Sequence, residues 1–105
     1  MARQSPYPEL EALQRRISGL SHLKQGVIMT YAILGGLENS VERTATDLAE
    51  MIGVPRSHFS RARSELAAAG YLEYTHREGQ VHFYRLGEEA TGREVVVPLR
   101  SRPTG

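Results

Sequence analysis

The sequence has no cysteine and no tryptophan, a single lysine among its 13 basic residues, and only 7% aromatic residues. Without cysteine there is no disulfide framework, no thiolate zinc site and no thiol nucleophile. The missing tryptophan carries little information. The lone lysine is Lys24 and the other basic residues are arginines, a bias that a GC-rich genome explains as well as any function does. Long hydrophobic runs are missing too. The longest strongly apolar stretch, residues 26–37, is interrupted by Thr30, Gly35 and Gly36. It falls short of the ~20 residues that a membrane-spanning helix needs. Arg3 has no apolar segment behind it, so no signal peptide is expected. The expectation is a soluble cytoplasmic protein with no membrane partner.

What is present is ordinary. A chain of 105 residues with 40% apolar and 24% charged residues has the composition of a globular protein and room for one domain at roughly 150 residues per domain. Lys plus Arg number 13 and Asp plus Glu 12, a formal charge of +1. That excludes a polyanion binder charged on all sides and leaves room for a local basic patch.

Periodicity organises the chain into three parts. Residues 1–20 form an N-terminal arm and a helix, with Pro8 in its first turn and Leu10, Leu13, Ile17 and Leu20 spaced as one apolar face. That stripe is a candidate dimer interface or a cap on the monomer's own core. Residues 21–92 read as a second unit. Ser21 can cap a helix whose stripe is Leu23, Val27, Tyr31 and Leu34, ended by Gly35 and Gly36. Val41 can begin a very short strand. Thr44 and Asp47 make a start resembling a capping box for a brief helix with apolar Leu48, Ala49, Met51 and Ile52, stopped by Gly53. Pro55 opens a fourth helix that buries Phe59, Ala62, Leu66 and Ala69 and ends at Gly70.

The period then changes to two. Leu72, Tyr74 and His76 alternate with polar neighbours, as do Val81 and Phe83. A Glu78-Gly79 turn predicts a hairpin with Tyr74 opposite Phe83, and His76 opposite Val81. Residues 86–92 can add one helical turn. The tail, residues 93–105, is either a short edge strand or disordered. The fold class is therefore α+β, mainly helical with a β-hairpin.

The spacing within the third and fourth helices carries the functional argument. The small Ala49 permits close helix approach, Gly53 supplies the positive φ of a tight turn, and Val54 and Phe59 fill the angle between the helices. Two core helices joined by a glycine would be the plain alternative, but a hairpin follows at once. The order helix, short helix, helix, hairpin over residues 21–92 resembles a winged helix-turn-helix domain. It is most similar to the multiple-antibiotic-resistance-regulator (MarR) family, on the stretch Thr46-Asp47-Leu48-Ala49-Glu50-Met51-Ile52-Gly53-Val54, the helix of residues 57–69, Gly70-Tyr71-Leu72-Glu73-Tyr74, the tip Arg77-Glu78-Gly79-Gln80 and the run from Tyr84 to Gly92. The resemblance implies a recognition helix, a wing and double-stranded DNA as partner. It departs from the family at the end: 13 residues follow Gly92, with Pro98 and Pro103 among them, which leaves no long C-terminal dimerisation helix.

Helical geometry alone assigns the fourth helix an outward side of Arg56, Ser57, Ser60, Arg61, Ser64 and Ala68 with no carboxylate. Short hydroxyls allow close approach to a major groove, and an arginine can donate two hydrogen bonds to guanine. Glu65 falls at the flank, facing solvent or Arg61. Arg63 lies nearer the core, as a salt-bridge partner or phosphate contact. His58, at the buried edge, is a phosphate contact or a packing residue. Arg77 at the hairpin tip can reach a minor groove or a phosphate. Thr46 opens the third helix, where amides can meet a phosphate and capping alone would also explain it. Charge is polarised accordingly: residues 53–85 set five arginines against three glutamates, and residues 25–52 set Arg43 against Glu38, Glu42, Asp47 and Glu50.

The four histidines, at positions 22, 58, 76 and 82, form no i, i+4 pair, so no metal or other cofactor is expected. No phosphate loop, nucleophile elbow or catalytic carboxylate pair occurs, and the chain does not read as an enzyme. The expected function is sequence-specific DNA binding by a transcriptional regulator, a repressor that occupies a promoter. A homodimer is expected because one recognition helix reads few base pairs. A plasmid partition or replication-control protein, or a winged helix used for protein contacts alone, are the rival readings. The sequence names no small-molecule effector.

Overall fold

The computed structural model describes residues 7–92. The arm before Tyr7 and the tail, residues 93–105, for which a strand or disorder were the alternatives, lie outside the described residues. Among the described residues, five helices and a two-stranded antiparallel hairpin make a mixed α and β fold in the order α1 (Pro8–Arg16), α2 (His22–Ile33), α3 (Ala45–Ile52), α4 (Arg56–Ala68), β1 (Leu72–Glu78), β2 (Val81–Leu86) and α5 (Glu88–Thr91).

The helix starts follow local chemistry. Ser21 Oγ accepts the Lys24 N–H at 3.2 Å and Thr44 Oγ1 accepts the Asp47 N–H at 3.1 Å, each satisfying a donor that the first turn leaves free. α1 has proline in its first turn, with Glu9 and Glu11 there and Arg15 and Arg16 in the last, a charge order that complements the helix dipole. Gly53 closes α3 at φ 84°, as the turn into α4 requires.

α2 is the centre of the molecule. Val27, Ile28, Tyr31 and Ala32 are buried, so the helix is enclosed on more sides than the stripe of Leu23, Val27, Tyr31 and Leu34 suggests. Buried Thr30 turns its hydroxyl back to the Gly26 carbonyl at 2.8 Å, which leaves no polar atom orphaned. Around α2 pack Leu48 and Ala49 from α3, Phe59, Ala62 and Leu66 from α4, and Leu72 and Leu86 from the hairpin.

Two expectations need correction, the burial of Ala69 and the hairpin register, and the two readings of the N-terminal stripe part. Leu13 and Ile17 are sealed in the core at 1% and 0% exposure, so the N-terminal stripe caps the chain's own interior and these two side chains offer nothing to a second copy. Met51 is 51% exposed, because α3 turns only Ala45, Leu48 and Ala49 fully inward. Ala69 is exposed as well; α4 ends at Ala68, and the chain bends away before Gly70.

The hairpin register is the other correction. Glu78 pairs with Val81, so the turn residues are Gly79 and Gln80. Gly79 takes φ 63°, and the first position of such a turn needs the left-handed conformation that glycine adopts at least cost. His76 therefore pairs with Phe83 and not Val81, and an irregularity at Thr75 brings Tyr74 opposite Tyr84. Tyr74 and Phe83 consequently lie on opposite faces, 47% and 7% exposed. The displaced Thr75 ties the hairpin to the body. Its hydroxyl donates to the Phe83 carbonyl at 3.0 Å. With that hydrogen committed, Ser40 Oγ is the donor in the 2.8 Å bond to Thr75. Val41 adds a one-residue bridge to Tyr84, its N–H donating to the Tyr84 carbonyl at 2.9 Å.

Candidate nucleic-acid interface

α4 begins directly after Pro55, at Arg56, and presents Arg56, Ser57, His58, Arg61 and Ser64 as exposed side chains, with Ser60 half-buried. The opposite side, Phe59, Ala62 and Leu66, is locked into the core, so the outward side is held rigidly. At ~1.5 Å per residue the helix is about 20 Å long, more than a major groove about 12 Å across.

The helix has one carboxylate, and its position is specific. Glu65 is drawn sideways to Lys24 of α2, with Nζ 3.0 Å from Oε1. The sequence suggested solvent or Arg61 as its neighbour; the partner comes from another helix. The result is an outward side of α4 with Arg56, Ser57, Arg61 and Ser64 and no acid. Beside it, Ser21, Leu23, Lys24, His58, Arg61, Ala62 and Glu65 line a cleft of about 320 Å³ between the start of α2 and α4. His58 faces this cleft as an exposed side chain, not the packed edge of the helix. Lys24 escaped the sequence-based selection because it belongs to a different helix, far away along the chain. Its being the only lysine was the one available signal.

Arg63 takes a role the charge pattern did not suggest. Its guanidinium carbon lies 4.7 Å from the Tyr84 ring centroid and 5.5 Å from that of Phe59, stacking α4 on β2 through cation–π attraction. Burial pushes the Tyr31 phenol above its usual value of 10.0, while Arg63, by hydrogen bonding and by charge, pulls it back. Among the described residues Arg63 thus forms no salt bridge with a carboxylate; it joins α2, α4 and the hairpin.

Thr46 is exposed in the first turn of α3, where Thr44 provides the cap. Arg77 is exposed near the end of β1, opposite His82. Closer to the base of the hairpin, Glu73 Oε1 and Arg85 Nε are buried and face one another at 3.5 Å. Further along the same face of β2, the His76 ring lies 4.9 Å from that of Phe83. Its Nε2 lies 3.7 Å from Glu78 and 3.9 Å from Glu42.

No family model, curated protein or solved structure matches this chain. Among the described residues, no helix is long and apolar enough to cross a membrane, and no three His, Asp or Glu side chains are grouped so that they could hold a metal ion.

Proposed function

We propose that the chain is a sequence-specific double-stranded-DNA-binding protein of the winged helix-turn-helix kind, a transcriptional repressor that acts by occupying a promoter. α4 is the recognition helix for the major groove. The β1–β2 hairpin is the wing, with Arg77 near its tip directed to the adjacent minor groove or backbone. Arg61 is assigned to base edges, and Arg56, Ser57, Ser60 and Ser64 to close approach and phosphate contact. Thr46, in the first turn of α3, is assigned to the backbone. The likeness to the MarR family belongs to the same reading.

The observation that carries it is the acid-free outward side of α4. Solvated helix faces usually mix charges of both signs, whereas the single carboxylate here, Glu65, is held aside at 3.0 Å by Lys24. The neighbouring Arg63 contacts make the relation between helix and wing rigid, a condition for reading two parts of a duplex at once. Two copies on a repeated site complete the proposal, since a single helix discriminates too few base pairs for genomic specificity.

Binding of a random-sequence duplex, measured at two salt concentrations, tests the class of function. Counterion release predicts affinity that falls steeply with salt. Absent binding at low salt, or affinity indifferent to salt, overturns the reading and favours a protein-contact module. Selection from random DNA followed by footprinting then gives the site and its half-site spacing.

A further inference from the structure

The cleft between α2 and α4 draws residues from two helices that are distant in sequence. Lys24 comes from the first turn of α2, His58, Arg61 and Glu65 from successive turns of α4, and Leu23 and Ala62 supply apolar lining. Three nitrogen-bearing side chains therefore converge on a space with one carboxylate in it. That carboxylate already sits 3.0 Å from Lys24 Nζ, showing that the lysine holds an anionic oxygen there. The pair is partly open to water, with side-chain exposures of 31% for Lys24 and 54% for Glu65. Such a pair contributes little stability and exchanges readily. Arg61 belongs both to this cleft and to the outward side of α4, so an anion seated here lies at the edge of whatever α4 reads.

We propose that this cleft seats one phosphodiester of the DNA backbone, with Lys24 transferring from Glu65 to the phosphate and His58 donating a ring N–H at the rim. The inference rests on the duplex-binding reading given above. It assigns Lys24 as a backbone contact and makes Glu65 its competitor when no DNA is bound. Glu65 thereby sets how much affinity the contact adds.

The test is the salt dependence of binding to a random-sequence duplex, followed by fluorescence anisotropy, for the full chain and the variants Lys24→Met, Lys24→Arg, Glu65→Gln and the double variant K24M/E65Q. Loss of one phosphate contact lowers the slope of log affinity against log salt by about 0.9. Over a fourfold rise in salt, Lys24→Met should then lose roughly three- to fourfold less affinity than the natural chain. Lys24→Arg should keep the natural slope, and Glu65→Gln should bind tighter. K24M/E65Q should remain shallow, which separates loss of the contact from release of the Glu65 charge. A natural slope in both Lys24→Met and K24M/E65Q overturns the phosphate seat and leaves the duplex-binding reading intact. A natural chain with no salt-dependent duplex binding overturns both. Thermal unfolding of each variant identifies any that fails to fold, and Glu65→Gln, at a half-exposed position, still decides the matter: binding no tighter than the natural chain refutes the competition.

Discussion

Replacing Arg63 with methionine should loosen the joint between α4 and the hairpin by an amount that can be worked from its contacts. The guanidinium lies over Tyr84 at 4.7 Å and near Phe59 at 5.5 Å. Cation–π contacts contribute about 0.5–1 kcal/mol at exposed sites and about 2 kcal/mol when desolvated, so the two at this half-buried position supply about 2 kcal/mol. The Tyr31 hydroxyl also loses its cationic neighbour, at a cost of about 1–3 kcal/mol for a buried group left without a partner. Against this, Arg63 Nε is itself buried without a hydrogen-bond acceptor, and removing it recovers about 1 kcal/mol. Methionine retains most of the apolar stem packing. The net expectation is a destabilisation of about 2–4 kcal/mol, read by urea unfolding. By the usual ~4–8 °C per kcal/mol for a small domain, Tm should fall by roughly 10–30 °C. A second readout is specific to the geometry. Arg63 opposes the upward push that burial gives the Tyr31 phenol, so in Arg63→Met that phenol should titrate at still higher pH, visible in the tyrosinate absorbance. A variant within about 0.5 kcal/mol of the natural chain, the range of ordinary surface substitutions, with the Tyr31 titration unmoved, refutes the reasoning.

Other outcomes follow from the same contacts. Gly87→Ala should destabilise by about 2–4 kcal/mol in chemical denaturation, because an added Cβ would run into the Gly70 carbonyl oxygen and sit 3.2 Å from the Leu72 carbonyl carbon, both backbone; a loss below about 1 kcal/mol in denaturant contradicts the close approach. Alkaline pH should weaken the fold. The Tyr31 phenol is raised in the folded state, so its contribution is complete below pH 10.0 and disappears as the pH climbs toward the folded value; Tyr31→Phe should remove that part of the alkaline loss in a pH series of unfolding curves. On a selected DNA site, Arg61→Ala should cost about 1–3 kcal/mol and relax the preference at one base pair. Equal weakening on all sequences, in competition binding, would make Arg61 a phosphate contact instead.

The parts of the fold that depend on neighbours along the chain were readable from the residues. Ser21 and Thr44 cap the helices that their side chains can reach, and Gly53 closes α3 because a single left-handed residue is needed there and nowhere else in the turn. Phe59, Ala62 and Leu66 repeat at helical spacing and are buried as that spacing requires. The misreadings have a common cause. Alternation in residues 72–85 was consistent with more than one register, and a one-residue difference in the turn moves each side chain to the other face; Gly79 at the first turn position and the irregularity at Thr75 settled it. Ala69 stands at helical spacing from Leu66, but exposure depends on which neighbours remain to cover a side chain. The candidate interface was legible as the outward side of α4. The cleft was not, since it needs Lys24 and Glu65 to meet across two helices.

The sequence by itself determined the elements of this protein: where helices begin and end, the change of period at the hairpin, and which side of α4 is free of acid. These are short-range properties, set by capping, backbone conformation and the 3.6-residue repeat. Only the tertiary structure decided that Leu13 and Ile17 are interior, that Arg63 stacks between α4 and β2, and that Lys24 holds Glu65. Each of these depends on long-range packing, in which helix orientation and hairpin register select one partner from many chemically equivalent ones.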